Sequence, residues 1–152
     1  MKYRLDFVTN SSSSSFIVSF KNKADMEEQY KKMIERYPQY ANIVFQDIDK
    51  HRKTYTETLN YMRERLGWEA RYYIRFEMPE YQDKKFDYAW FKSAEYKKLE
   101  KEYVERELEK FKNSVNHRGI FAEIAYSDHD NSELEHYIMP NMPFTVKTFS
   151  NH

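Results

Sequence analysis

The chain has 152 residues, enough for one domain with a buried core, and its 25 basic and 25 acidic residues cancel to a formal net charge of zero. This balance argues against a general nucleic-acid binder, which needs a surplus of positive charge. No apolar stretch approaches the roughly 20 residues that span a bilayer, and the N-terminus lacks a signal-peptide pattern, so we expect a cytoplasmic protein. The absence of cysteine excludes disulfides and cysteine-ligated metals, and two glycines are too few for NAD, FAD or P-loop nucleotide motifs.

The first third of the chain predicts two strands and one helix. Alternating apolar residues predict strands at 3–7 and 16–20, joined in a hairpin by a polar loop that contains the serines at 11–15. Apolar residues at helical spacing predict a helix over 24–37. The short apolar segment at 43–48 is either a strand or the start of the next helix.

The middle third is rich in aromatic residues. A helical stripe predicts a helix over 55–66, with Gly67 as its C-terminal cap. Strict alternation over 68–78 predicts the most strongly patterned strand of the chain. An aromatic loop is expected over 79–91, and the longest helix over 94–115.

The last part predicts a strand over 120–126, a polar loop over 127–132, one or two helical turns over 133–138 and a final strand over 144–149. No internal repeat and no linker is visible, so we expect a single α+β domain that spans residues 1–152. The order of elements predicts a mixed or mainly antiparallel sheet of about 4–6 strands, with three main helices packed mostly on one face.

The serine run is the most unusual local feature. Its hydroxyl groups either line a polar binding site or form a solvated turn. The candidate binding residues here are Asn10, Ser11, Ser12 and Ser13. The stretch from Arg4 to Phe16 resembles an N-terminal signature of uncharacterised bacterial and phage proteins, Phe-Val-Thr-Asn followed by a serine run. The segment from Leu134 to Pro140 is similar to a subset of the same proteins. The resemblance implies a phage or mobile-element setting and brings no particular activity with it.

An acidic, histidine-containing segment is the first candidate for chemistry. Asp128, His129 and His136 carry the carboxylate and imidazole groups that bind Zn²⁺, Mn²⁺ or Fe²⁺. Glu133 and His136 are three residues apart, so one helical turn would place them on the same face. The same residue types are common in solvated turns, and no His-Glu-x-x-His motif is present. The sequence therefore leaves two interpretations open, a divalent-metal cofactor or an ordinary loop.

Acid–base chemistry without a metal is a related hypothesis. Glu135, His136 and His152 are the candidate catalytic residues, with a serine of the run as an orienting or nucleophilic group. The glycine-flanked nucleophile elbow of α/β-hydrolases is absent.

The aromatic loop is a second candidate binding surface. Tyr88 and Trp90 are of the residue types enriched at interaction hot spots. Lys84 and Lys85 lie among the rings, a combination that also suits single-stranded nucleic acid. The alternative interpretation is a loop that folds back over the core.

Two functions follow from these features. The first is a phage or mobile-element accessory protein that acts by binding a host or phage macromolecule. A protein is the expected partner, and nucleic acid is less favoured because the charge is balanced. The alternative is a small hydrolase with a polar Ser/Glu/His site, with or without a divalent metal. Whether the chain is an enzyme stays open at this point.

Overall fold

The computed structural model describes residues 13–150, which fall into two compact units. Among the described residues, the first unit comprises 13–58 and 115–150, and the second comprises Leu59–Ser114. The single domain over residues 1–152 stays a prediction.

Some of the predicted features lie outside the described residues. They are the strand at 3–7 with its hairpin, the candidate binding residues Asn10, Ser11 and Ser12, and the candidate catalytic residue His152.

The first unit is built on a four-stranded antiparallel sheet, in agreement with the predicted α+β class. Its strands are β1 (Ser13–Phe20), β2 (Arg52–Lys53), β3 (Ile120–Ser127) and β4 (Thr145–Ser150), in the spatial order β2-β3-β1-β4. The pairing of β1 with β3 runs from Ser13 opposite Ser127 to Phe20 opposite Ile120. The strands predicted at 16–20, 120–126 and 144–149 are confirmed.

Three serines of the run lie inside a strand, where a polar loop was predicted. Ser13, Ser14 and Ser15 are the first residues of β1, and Ser14 and Ser15 are buried. The prediction of a loop is wrong here because β1 is a central strand, flanked by β3 on one side and β4 on the other. The hydroxyl groups of these two serines therefore lie within the protein.

Two helices pack against one face of this sheet. They are α1 (Lys23–Arg36), which confirms the predicted helix, and α2 (Ala41–Lys50). The Asn22 side chain caps α1 by accepting a hydrogen bond from the Asp25 backbone N–H. The residues of this core occupy alternate positions in β1 and β3 and every third or fourth position in the helices, as expected for a sheet covered by helices. Its members include Phe16, Val18, Phe20, Ala122, Ile124, Tyr126, Met33, Val44 and Ile48.

Short helical segments follow β3. They are α5 (Asp128–Glu133), a π-helical turn (Leu134–Ile138) and a 3₁₀ turn (Met139–Asn141). The loop predicted at 127–132 is therefore partly helical, with α5 interrupted at Asn131, where φ is −151° and ψ is 70°. The helical turns predicted at 133–138 are confirmed.

The second unit is helical among its described residues. It contains most of α3 (Tyr55–Tyr72), a π-helical turn (Tyr73–Glu77), two 3₁₀ turns (Pro79–Lys84 and Trp90–Lys92) and α4 (Ala94–Ser114). Its core is formed by Ala70, Ile74, Trp90 and Tyr96. The predicted long helix is confirmed as α4.

The strand predicted over 68–78 is wrong, because the chain continues as a helix through this segment. Ala70 and Ile74 are buried at helical spacing, whereas Trp68 and Tyr72 are 66% and 57% exposed. The apparent period of two arose from large rings that remain at the surface. Gly67 is accordingly an interior residue of α3 and not its cap.

The two glycines should respond in opposite ways to alanine. A Cβ at Gly119 would lie 2.3 Å from the backbone oxygen of Phe20 and 2.9 Å from that of Asn116, so we expect Gly119→Ala to lower the free energy of unfolding by about 2 kcal/mol. A Cβ at Gly67 would meet no atom within 4 Å, so Gly67→Ala should raise it by about 1 kcal/mol, the helix propensity difference. Urea denaturation measures both, and equal stability of the two variants would contradict this account.

Candidate functional site

A polar cluster lies at the end of the sheet where β1 begins and β3 ends. Ser14 Oγ donates a hydrogen bond to Glu135 Oε2 at 2.8 Å. The other carboxylate oxygen, Glu135 Oε1, lies 3.2 Å from His136 Nε2, and Asp128 Oδ1 lies 2.7 Å from that same nitrogen. Three separate parts of the chain therefore meet here: the start of β1, the first residue of α5 and the π-helical turn.

The members of the cluster differ in their exposure to solvent. The side chain of Glu135 is 0% exposed, whereas those of His136 and Asp128 are 35% and 41% exposed. An ionised carboxylate taken out of water costs several kcal/mol unless it is paired and hydrogen-bonded. Ser14 and His136 provide such partners for Glu135. The cluster thus has a buried carboxylate at its base and two side chains that a solute can reach.

The backbone around Glu135 and His136 positions both side chains. The π-helical turn that contains them is held to the core by Leu134 and Ile138, which are both buried. Single π-helical turns are rare, and they occur frequently at functional sites. In this turn two neighbouring residues contribute to one cluster while Leu134 and Ile138 stay in the core.

The contacts of His136 Nε2 indicate what the cluster can bind. An imidazole nitrogen carries at most one proton, so it can donate a full hydrogen bond to only one of the two carboxylates that face it. Without its proton, the nitrogen presents a lone pair to the same space. One ligand atom each from Asp128, Glu135 and His136 then lies within 4.8 Å of the other two. Nitrogen and oxygen ligands of these kinds suit Zn²⁺ and Mn²⁺.

The structure brings some of the predicted metal and catalytic residues together and leaves others apart. Asp128, Glu135 and His136 meet as described above. His129 is exposed and does not belong to this cluster. Glu133 does not belong to it either; its carboxylate accepts a hydrogen bond from the Tyr40 hydroxyl at 2.6 Å. This hydrogen bond raises the pKa of Tyr40, because the carboxylate opposes ionisation of the phenol.

Ser14 is the serine of the run that joins Glu135 and His136; the sequence predicted such a serine but did not single out residue 14. The signal that could have found it is the alternation along β1. Extended backwards from Phe16, Val18 and Phe20, the period of two places residue 14 on the side of the sheet that carries the core. Ser13, the predicted binding residue next to it, is half-buried at the first position of the strand.

The two aromatic residues predicted to bind a partner have different environments. Tyr88 is 70% exposed, whereas Trp90 is 6% exposed and belongs to the core of the second unit. The Trp90 indole N–H donates to Glu95 Oε1 at 2.7 Å. For Trp90, the alternative interpretation of a loop that covers the core therefore describes the structure.

No protein-family model matches the chain, and no curated protein or solved structure shows a significant match to it. Within residues 13–150, none of the helices combines the length and the apolar character that a bilayer crossing requires.

Proposed function

We propose that the protein is a small hydrolase that uses a divalent metal ion held by Asp128, Glu135 and His136. The observation that carries this proposal is the convergence of three ligand atoms within 4.8 Å. In a tetrahedral zinc site with bonds of about 2.0–2.2 Å, the ligand atoms are about 3.4 Å apart. The distance between Glu135 Oε1 and His136 Nε2 is 3.2 Å, so these two side chains need almost no rearrangement, whereas Asp128 Oδ1, at 2.7 Å from the same nitrogen, would have to move outward.

The same arrangement supplies the parts of a hydrolytic centre. Three protein ligands leave the fourth position of a tetrahedral ion for water. A bound metal ion lowers the pKa of that water to about 7 and so provides a nucleophile at neutral pH. Ser14 holds Oε2 of Glu135, which leaves Oε1 directed at His136, where it would be available to a bound ion; outer partners of metal ligands play this orienting role. The partial exposure of Asp128 and His136 gives a substrate access.

The melting temperature tests metal binding directly. We expect Zn²⁺ or Mn²⁺ to raise it relative to EDTA, since an ion at 100 times its Kd stabilises the folded state by about 2.7 kcal/mol. The increase should be lost in His136→Ala and in Asp128→Asn. Because Asp128 is 41% exposed, its replacement should leave the fold intact.

His129→Ala is the matched control, because it removes a neighbouring, exposed histidine that lies outside the cluster. It should retain the full metal-dependent increase. Loss of the increase in His129→Ala but not in His136→Ala would show that the ligands are misassigned. The stabilising metal should also permit hydrolysis of p-nitrophenyl acetate or p-nitrophenyl phosphate. A protein that binds the metal but hydrolyses neither ester would contradict the enzymatic part of the proposal.

A second candidate function, binding of a host or phage macromolecule, is supported by the surface of the second unit. Trp68, Phe86 and Tyr88 are 66%, 68% and 70% exposed. Large exposed rings of this kind occur at interaction sites, where Trp and Tyr are enriched among the hot-spot residues. The protein partner and the phage or mobile-element setting stay predictions.

A further inference from the structure

A cleft of about 420 Å³ opens in the second unit between the end of α3, the π-helical turn that follows it and the beginning of α4. Its volume falls within the range of about 300–1,000 Å³ that is typical of small-molecule sites. Both its charge and its aromatic wall indicate the class of ligand.

Three cations and one carboxylate line this cleft, in a chain whose overall charge is balanced. Arg71 pairs with the carboxylate, since its Nε lies 3.4 Å from Glu100 Oε2. The Arg75 guanidinium donates to the Lys85 backbone oxygen at 3.2 Å and lies 4.3 Å from the centre of the Phe91 ring. Among residues 13–150, neither Arg75 nor Lys97 pairs with a carboxylate. The cleft therefore has a local surplus of positive charge available to an anion.

Aromatic rings form the other wall of the cleft. The Tyr88 and Phe91 rings meet edge to face with their centres 6.0 Å apart, and the Phe91 and Tyr96 rings do so at 5.2 Å. Because Tyr88 is 70% exposed, it can stack on a planar ligand. Burial raises the pKa of Tyr96 to about 12, so its hydroxyl adds no negative charge at neutral pH.

We propose that this cleft binds a nucleoside phosphate, with the phosphate on Arg75 and Lys97 and the base stacked on Tyr88. The guanidinium group matches the geometry of phosphate oxygens, and base stacking on an exposed ring is the second element of single-strand recognition. A free nucleotide and a unit of a single-stranded nucleic acid share this chemistry. The inference goes beyond both candidate functions and is independent of the metal site.

The test measures fluorescence anisotropy of a labelled oligothymidylate of about 12 nucleotides with the full chain at low salt, in competition with unlabelled thymidine monophosphate. The double variant Arg75→Gln/Lys97→Gln should bind at least about tenfold more weakly, because two phosphate contacts are lost. Tyr88→Ala should weaken binding about fivefold or more, and Tyr88→Phe should retain it because the ring is kept. Lys110→Gln is the matched control, since Lys110 is an exposed α4 residue outside the cleft, and it should change binding less than about twofold.

Competition by the mononucleotide would identify a free nucleotide as the ligand, and binding of the oligonucleotide alone would identify a single strand; both support the inference. Three results would overturn it: no binding of either, equal binding by the double variant, or binding of a phosphotyrosine peptide with no nucleotide bound. The melting temperature of the double variant shows whether it is folded.

Discussion

Glu135→Ala is expected to lower the free energy of unfolding by about 3 kcal/mol and to abolish stabilisation by Zn²⁺. The Glu135 side chain is fully buried, so alanine leaves a cavity that the surrounding core fills only in part. It also removes the acceptor of the hydrogen bond from Ser14, which is itself buried. Urea denaturation in EDTA measures the structural loss, and the same titration with Zn²⁺ measures the loss of the ligand.

Glu135→Met separates the two roles of this residue. Methionine fills much of the volume and leaves no large cavity, but it removes the acceptor of the Ser14 hydroxyl as alanine does. We therefore expect Glu135→Met to lower the free energy of unfolding by about 1–2 kcal/mol, less than alanine does, and to bind Zn²⁺ at least about 100-fold more weakly, because a ligand is missing. If Glu135→Met is stabilised by Zn²⁺ as strongly as the wild type, Glu135 is not a ligand. If Glu135→Ala is as stable as the wild type, the buried contacts of the Glu135 side chain do not contribute to the stability of the fold.

The sheet could be predicted from the sequence because apolar residues alternate along its strands. In β1, Phe16, Val18 and Phe20 belong to the core that also contains the helices, and Ile124 and Tyr126 of β3 belong to the same core. The identical pattern failed over 68–78 because alternation does not reveal which side chains become buried. There the rings of Trp68 and Tyr72 remain exposed, and the backbone follows the helical spacing of Ala70 and Ile74.

The candidate site could be predicted only in part. The segment around residues 128–136 was identified from its carboxylate and imidazole groups, but sequence proximity does not decide which of them converge. His129 follows Asp128 directly and is not in the cluster, while Ser14, 121 positions before Glu135, contacts its carboxylate. That contact depends on the pairing of β1 with β3, which brings the start of one strand beside the end of the other. The order of residues in the sequence does not show which residues of β1 and β3 lie opposite each other.

Phe20→Ala should be the most destabilising single substitution considered, at about 4 kcal/mol. The Phe20 side chain is 1% exposed, and its ring centre lies 5.1 Å from that of Phe144 and 5.9 Å from that of Phe45. The three rings lie on β1, on α2 and on the segment before β4, so their packing holds one strand, one helix and that segment together. Alanine removes the large buried area of one ring. It also removes the ring–ring contacts, which stabilise the fold beyond the effect of buried area.

The comparison with Phe20→Leu tests whether packing is the cause. Leucine keeps most of the apolar volume and should cost about 1 kcal/mol, because volume-conserving changes in a core are tolerated. Ile34→Ala is the surface control: Ile34 is 40% exposed on α1, and its replacement should change the free energy of unfolding by less than about 0.5 kcal/mol. Chemical denaturation of the three variants gives the order of their free energies of unfolding. Equal losses for Phe20→Ala and Ile34→Ala would mean that the ring cluster does not organise the core of the first unit.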